Sequence, residues 1–164
     1  MVEIVPIGPE HIESFHRTLD VVARERRYLA LLEAPPIGQF RPFVEDVIRQ
    51  SHAQFAAISD GEVVGWCDVL PKGRPIYAHS GVLGMGLLPG FRGQGIGRRL
   101  LQRTLEAARA NGLTRVELTV REDNPGAIAL YQSVGFAAEG VQRNAFRIDR
   151  RYENLIMMAL LFDG

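Results

Sequence analysis

The glycine-rich segment Arg92–Gly97 is the part of the sequence whose residue types and spacing most directly predict chemistry. It stands between a strand-like run and the clearest helical pattern in the chain. The start of a helix presents unpaired N–H groups and the positive end of the helix dipole, and glycines let an anion approach that backbone closely. The segment therefore predicts a cradle for a pyrophosphate, with Arg92 and Arg98 as additional guanidinium donors.

The spacing of these glycines separates the segment from two well-known phosphate loops. A dinucleotide-binding loop needs G-x-G-x-x-G, whereas this segment has G-x-G-x-G and places Arg98 where the last glycine should fall. A P-loop needs Gly-Lys followed by Ser or Thr, which is absent here. A nucleotide-dependent oxidoreductase is therefore the weaker reading, and a tight turn without a ligand is the structural alternative.

A second pair of residues, Asn124 and Tyr131, stands on one face of a predicted helix. Asn124-Pro125 is typical of a helix start, with asparagine as N-cap and proline at the first helical position. Seven residues make nearly two turns, so both side chains should share one face about 10 Å apart. A tyrosine hydroxyl can donate a proton. The structural alternatives are a simple cap for Asn124 and a half-buried core position for Tyr131.

The remaining pattern predicts a mixed α/β single domain over residues 1–164 that would position these groups. Apolar spacing favours helices, whereas an Asp60-Gly61 turn between two β-prone runs favours a hairpin. The predicted helices lie at 9–27 with a possible extension to 32, at 40–50, at 95–110 and at 125–134 after the Asn124 cap. The helix at 40–50 has Phe43, Val47 and Ile48 on one side. The predicted strands lie at 2–6, 54–58, 63–70, 78–88, 116–120, 136–146 and 152–162.

Composition narrows the class of protein. The chain has 19 basic and 19 acidic residues and no net charge, which argues against a nucleic-acid binder. The single Cys67 allows neither an intrachain disulfide nor a multi-cysteine metal site and fits a reducing, cytoplasmic setting. The longest apolar run, Leu155–Phe162, is far shorter than the about 20 residues of a membrane-spanning helix, and the N-terminus lacks the pattern of a signal peptide. We expect no metal and no membrane association.

Two segments together resemble the GNAT superfamily of acetyl-CoA-dependent N-acyltransferases. Pro89–Leu101 is similar to the R/Q-x-x-G-x-G/A signature, and Val120–Phe136 is similar to the N-x-x-A-x-x-L/F-Y-x-x-x-G-F segment of that family. With the element order, the resemblance covers nearly the whole chain. It is greatest for the branch that acts on amino acids and phosphinothricin-like amines, although Arg150 and Asn154 depart from that branch at the last turn.

The resemblance implies a fold, a cofactor and a set of binding residues. It implies a splayed, mostly antiparallel sheet flanked by about four helices, with a homodimer as one possible assembly. Acetyl-CoA would be the cofactor and CoA the product. The implied cofactor contacts are the backbone of Met85, Gly86 and Leu87 to pantetheine, the loop residues Arg92, Gly93, Gln94, Gly95, Ile96, Gly97 and Arg98 to the diphosphate, Asn124 to the cofactor arm and Tyr131 to its sulfur.

The resemblance leaves the general base open. Some members carry a glutamate at the position of Gly81, which here has no side chain. His79 lies two residues earlier and would point the same way in a regular strand, and its ordinary pKa suits proton transfer. Glu117, on the next strand, is the other candidate. Both remain open.

The implied activity is acetyl transfer from acetyl-CoA to a primary amine of a small molecule, such as an amino acid or an analogue, by direct attack. Tyr131 would protonate the departing thiolate, and Tyr28 and Glu33 would line the acceptor pocket. Two alternatives remain: acetylation of a protein N-terminal α-amine, and a regulatory module that binds acyl-CoA without catalysis. The identity of the acceptor and the oligomeric state are open.

Overall fold

A computed structural model of the protein describes residues 1–163 as two compact units. The first unit comprises Met1–Leu70 and Gly84–Asn111, and the second comprises Pro71–Leu83 and the described chain from Gly112 onward. The helices are α1 (Ile12–Arg24), α2 (Ile37–Arg49), α3 (Ile96–Ala110) and α4 (Pro125–Ser133). The strands are β1 (Glu3–Pro6), β2 (Ala53–Ser59), β3 (Glu62–Pro71), β4 (Ser80–Leu87), β5 (Arg115–Arg121), β6 (Ala137–Ile148) and β7 (Arg151–Leu161).

The first unit is built on antiparallel strands in the order β1-β2-β3, to which it adds residues 84–87 of β4. Apolar residues at helical spacing along α1, including Phe15, Leu19 and Val22, pack with Phe40 and Val44 of α2 in one buried cluster. The expected apolar face of α3 is buried as well, at Ile96, Leu100, Leu101, Leu105 and Ala108. This packing fixes the start of α3, where the glycine-rich loop ends.

The second unit contains residues 80–83 of β4 followed in order by β5, β7 and β6. β4 runs parallel to β5, and their pairing extends from Ser80↔Arg115 to Val82↔Glu117. β5 is antiparallel to β7 along its whole length, from Arg115↔Leu161 to Arg121↔Leu155. The carboxyl half of β5 is therefore held by β7.

The predicted fold class is confirmed: the chain is mixed α/β, with seven mostly antiparallel strands and four α-helices. The hairpin at Asp60-Gly61 is also confirmed, because both residues have the positive φ angles that a two-residue hairpin turn requires. The assignment of residues 1–164 to a single domain stays a prediction.

Several expected boundaries were wrong. The first helix ends at Arg24 and does not extend to Leu32, since Arg26 adopts a left-handed conformation with φ 59°. The second helix begins at Ile37, and its inner face is Phe40, Val44 and Val47, whereas the side chain of Phe43 is exposed. β4 begins at Ser80 rather than Ala78.

Two kinds of feature are absent from the described residues 1–163. None of the helices there combines the length and apolar character needed to cross a membrane. In the same residues, no three histidine, cysteine, aspartate or glutamate side chains come together as a metal-binding group would require.

Candidate active site

The glycine-rich loop has the geometry expected of an anion cradle. Gly93 and Gly95 have φ angles of 74° and 81°, and Gly95 is the N-cap of α3. The first backbone bond of the helix runs from the N–H of Arg99 to the carbonyl of Gly95 at 3.2 Å, so the amides just before Arg99 precede the helical ladder. A Cβ at Gly93 or Gly95 would meet no atom within 4 Å, so the backbone there borders open space. The loop therefore leaves room beside the backbone of Gly93 and Gly95 at the start of α3.

The side chain of Arg92 is bound within the protein, and its predicted phosphate contact stays a prediction. Its Nη1 and Nη2 atoms donate to the two carboxylate oxygens of Glu25 at 2.9 and 2.6 Å, and its Nε donates to the carbonyl of Leu87 at 2.9 Å. The guanidinium also lies 4.5 Å from the ring centre of Tyr28. The bond to Glu25 raises the pKa of Arg92. Arg92 therefore anchors the loop to the end of α1 and to β4.

The other polar loop residues lie on the surface. The side-chain amide of Gln94 donates to the carbonyl of Gly90 at 3.1 Å, which closes the turn before the loop. Arg98 is exposed on the first turn of α3. Its position is compatible with the predicted contact to an anion, and that contact stays a prediction.

The glycine at position 86 is explained by packing. A Cβ there would lie 2.3 Å from Cη2 of Trp66, and the indole of Trp66 in turn packs 5.6 Å from the ring of Phe15. β4 thus passes so close to the core tryptophan that only glycine fits. Met85, Gly86 and Leu87 are half-buried, and their expected backbone bonds to pantetheine remain a prediction.

Asn124 and Tyr131 stand on α4 as the sequence predicts. The Oδ1 atom of Asn124 accepts from the N–H of Ala127 at 3.2 Å, which confirms that it caps the helix. Tyr131 is buried, with its ring centre 5.8 Å from that of Phe136. The cap and the aromatic contact hold both residues in place, and their contacts with a cofactor stay predictions.

Glu117 is a poor candidate for the general base. Its two oxygens accept from Nζ of Lys72 at 2.8 Å and from Nε of Arg115 at 3.0 Å. These bonds, the one from Lys72 above all, lower the pKa of Glu117. A carboxylate held ionised by two cations has little affinity for another proton, so the geometry argues against the predicted role.

His79 lies in a turn immediately before β4, and its side chain is exposed. Its carbonyl accepts from the N–H groups of Thr114 and Arg115 at 2.9 and 3.1 Å. Because it precedes the strand, the expected alternation that would align it with Gly81 does not apply. Its backbone has a structural role, and a catalytic role for its ring is an untested prediction.

The two predicted acceptor residues lie in the irregular segment between α1 and α2. Tyr28 is half-exposed and stacks with Arg92, whereas Glu33 is exposed and accepts from Nη2 of Arg24 at 3.2 Å. The structure therefore brings Tyr28 to the anchor of the glycine-rich loop. Glu33 belongs to a surface ion pair, and the acceptor role of both residues stays a prediction.

Sequence reasoning missed one titratable residue, Asp68 on β3. Its Oδ2 accepts from Nε2 of Gln54 at 3.2 Å, and a Cβ at Gly84 would stand 3.4 Å from its Oδ1. Burial raises the pKa of Asp68 from 3.8 to about 7. The signal available in the sequence was an acidic residue within the apolar run predicted as a strand at 63–70. The register of the β2–β3 hairpin places this residue opposite Gln54.

These features define a class of protein. It is a mixed α/β protein in which a glycine-rich loop precedes helix α3, and the later helix α4 is capped by Asn124 and carries Tyr131. The family model of the acetyltransferase (GNAT) family matches residues 17–136. That match covers more than half of the chain, which therefore belongs to the acetyltransferase (GNAT) family.

Three relatives illustrate the similarity. The chain is 41% identical over 92 residues to the N-alpha-acetyltransferase RimI of Mycobacterium tuberculosis, covering 56% of each chain. It is 38% identical over 72 residues to the ribosomal protein bS18-alanine N-acetyltransferase of Salmonella typhimurium, covering 44% of this chain and 49% of the relative. The chain thus spans about half the length of these curated relatives. A phosphinothricin acetyltransferase of Sinorhizobium meliloti, solved in complex with acetyl-CoA, shares the fold with a TM-score of 0.92 at 18% identity, covering 99% of this chain and 90% of that one.

The close approach of Gly86 to Trp66 predicts that an alanine destabilises the fold at position 86 but not at position 90. Gly86→Ala should lower the free energy of unfolding by about 1–3 kcal/mol, because the added methyl group overpacks the core. Gly90→Ala is the matched control, since a Cβ there meets nothing within 4 Å. Urea unfolding of both variants measures the difference, and equal stability would contradict the described packing.

Proposed function

We propose that this protein transfers an acetyl group from acetyl-CoA to a primary amine, with a small molecule such as an amino acid or an analogue as the first acceptor class. The observation that carries the proposal is the open backbone cradle of Gly93 and Gly95 at the start of α3. A helix start of this form suits a diphosphate. The bound thioester would supply an acyl group already activated for attack by nitrogen.

The chain's own residues fit such a cofactor in three places. The backbone amides from Gly93 to Arg98 would hold the diphosphate in a loop that the Arg92–Glu25 pair makes rigid. The half-buried backbone of Met85–Leu87 offers strand-like partners for pantetheine amides. Asn124 would contact the cofactor arm, and the Tyr131 hydroxyl would donate the proton that the departing thiolate takes up.

Direct attack by the amine, without an acyl-enzyme, agrees with the buried and protonated thiol of Cys67. Cys67 is completely buried on β3, and burial raises the pKa of its thiol, so the reactive thiolate is suppressed. An acyl-enzyme on Cys67 would need a thiolate that this environment disfavours. We therefore assign no covalent step to the protein.

The N-terminal α-amine of a protein is a second acceptor class, which the names of the two curated relatives favour. α-Amines have pKa values near 8, whereas alkyl amines have values near 10, so an α-amine needs less help to become neutral. Parallel assays of CoA thiol release with a panel of amino acids and with peptides beginning in alanine would rank the two classes. Faster turnover of a peptide at equal concentration would replace the small-molecule assignment.

Cofactor binding predicts a selective thermal shift. At a hundred times its Kd, acetyl-CoA or CoA should add about 2.7 kcal/mol to the free energy of unfolding, worth about 5–10 °C in Tm for a domain of this size. Gly95→Arg should abolish the shift because it places a bulky side chain at a left-handed N-cap. Gly90→Arg, in an open position with ordinary φ, is the matched control and should keep it.

Three results of that assay would contradict the proposal. A missing shift with both CoA and acetyl-CoA would remove the cofactor assignment. A shift with NADPH instead would favour the oxidoreductase reading of the glycine loop. A CoA shift without turnover of any amine would favour a regulatory module that binds acyl-CoA.

If Tyr131 is the proton donor, its replacement by phenylalanine should lower kcat and leave the affinity for CoA nearly unchanged. Tyr131→Phe removes only the hydroxyl and should lower kcat by about 100-fold or more, the usual contribution of general acid catalysis. The Kd for CoA should change by less than a few fold. Tyr152→Phe, at an exposed tyrosine, is the control. An unchanged kcat in Tyr131→Phe would exclude the acid role.

A further inference from the structure

Asp68 stands on the face of β3 that packs against α1 and α2. Trp66, two residues earlier on the same face, lies against Gly86, and Asp68 lies against Gly84. Cys67 points to the opposite face, where its carbonyl accepts from Thr104 of α3 at 3.4 Å. The Asp68 carboxylate is thereby placed over β4 immediately before Met85–Leu87.

The two oxygens of Asp68 differ in their surroundings. Oδ2 accepts from the amide of Gln54, its partner in the register of β2 and β3, at 3.2 Å. Oδ1 faces the Cα of Gly84, where a side chain would stand 3.4 Å away and is missing. One oxygen is therefore held by Gln54, and the other lies beside the main chain of β4 at Gly84.

We propose that the Asp68 carboxylate is the general base of acetyl transfer, accepting the proton of the acceptor amine at Oδ1 while Gln54 holds Oδ2 as a positioning residue. The inference rests on the proposed acetyl-transfer function. It supplies the base that the sequence did not identify, on the strand next to the glycines of β4.

Proton transfer to Asp68 balances the reaction. The ammonium of the acceptor loses one proton to Oδ1, and the freed lone pair forms the C–N bond to the acetyl carbon while the C–S bond breaks. The nitrogen then loses a second proton, the departing thiolate gains one, and Asp68 returns its proton to solvent. The net products are the acetylated amine, CoA and one proton.

The charge environment suits a base that works near neutral pH. Burial raises the pKa of Asp68 to about 7, and the bond from Gln54 partly opposes that rise. The β2 and β4 sequences contain no titratable side chain, and on β3 the nearby Cys67 thiol stays protonated. The ion pairs of α1 and α2 are made elsewhere, as Arg41–Glu13, Arg17–Glu62, Arg24–Asp20 and Arg49–Asp46, and His16 contacts the carbonyl of Pro35.

The first test compares Asp68→Asn with Asp60→Asn, which makes the same charge change at an exposed turn. With an acceptor from the amine and peptide panel, Asp68→Asn should lower kcat by about 100-fold or more and lose the rise of kcat with pH near 7. The CoA-induced thermal shift should persist. Asp60→Asn should match the wild type throughout.

The Gln54→Met variant tests the pH dependence of kcat, which should not change if Asp68 and Gln54 are only structural. The variant keeps the side-chain volume and removes the donor that lowers the pKa of Asp68. The rise of kcat should therefore move to higher pH, while the amine's own titration is unchanged. This variant also keeps the proposal testable if Asp68→Asn does not fold.

Stability provides a readout that needs no substrate. The folded pKa of Asp68 lies above its value of 3.8 in the absence of burial, so its ionisation costs stability as pH rises from about 4 to about 7. Asp68→Asn removes that cost, so its Tm should rise relative to the wild type as pH increases through this window. A difference in Tm that stays constant or falls across this window would contradict the raised pKa that the proposed base requires.

The outcomes separate the base from the overall function. An active wild type with an equally active Asp68→Asn variant, or with an unmoved pH profile in Gln54→Met, overturns the role of Asp68 and leaves acetyl transfer standing. A wild type that neither binds CoA nor acetylates any amine overturns the proposed function and the base together.

Discussion

The bidentate pair between Arg92 and Glu25 is the interaction on which the geometry of the first unit depends. One guanidinium joins three parts of the chain: the residues after α1, the last carbonyl of β4 and the start of the glycine-rich loop. Charge-assisted bonds of this type are stronger than neutral ones and fix orientation as well as distance. Because the guanidinium of Arg92 is used for this anchor, the loop that begins at Arg92 is fixed to the rest of the first unit. A fixed backbone suits a diphosphate, since it loses little conformational entropy on binding.

The elements predicted well from the sequence are those whose signals are local. The start of α4 follows from Asn124-Pro125, the β2–β3 hairpin from Asp60-Gly61, and the start of α3 from Gly95, each through the conformation of a few adjacent residues. The end of α1 was missed for the opposite reason. The apolar pattern continues through Tyr28–Leu32, but the chain turns at Arg26 beside Glu25, whose partner Arg92 lies 67 residues away. A contact at that separation leaves no mark in the local periodicity.

The residues of the candidate site also differ in whether local sequence signals predict them. The glycine loop, Asn124 and Tyr131 could be located because each is part of a short motif on a predictable element. The proposed base, Asp68, could not be located in this way, because the pKa of a carboxyl group depends on what surrounds it after folding. Glu117 looked suitable as an acidic residue on a central strand, yet Lys72, 45 residues away in sequence, lies 2.8 Å from it. Asp68 was not among the predicted site residues, and burial on β3 raises its pKa to about 7.

The two carboxyl groups show how one fold can assign different roles to the same chemical group. Glu117 lies between two cations that lower its pKa, and Asp68 lies against an amide and a glycine in surroundings that raise its pKa. Opposite shifts of this kind separate a permanent anion from a proton acceptor. An ionised Asp68 costs stability at neutral pH, and the apolar strand around it offers no compensating cation. Gln54 holds one oxygen of this aspartate and Gly84 lies beside the other, which is the arrangement that the proposed proton transfer requires.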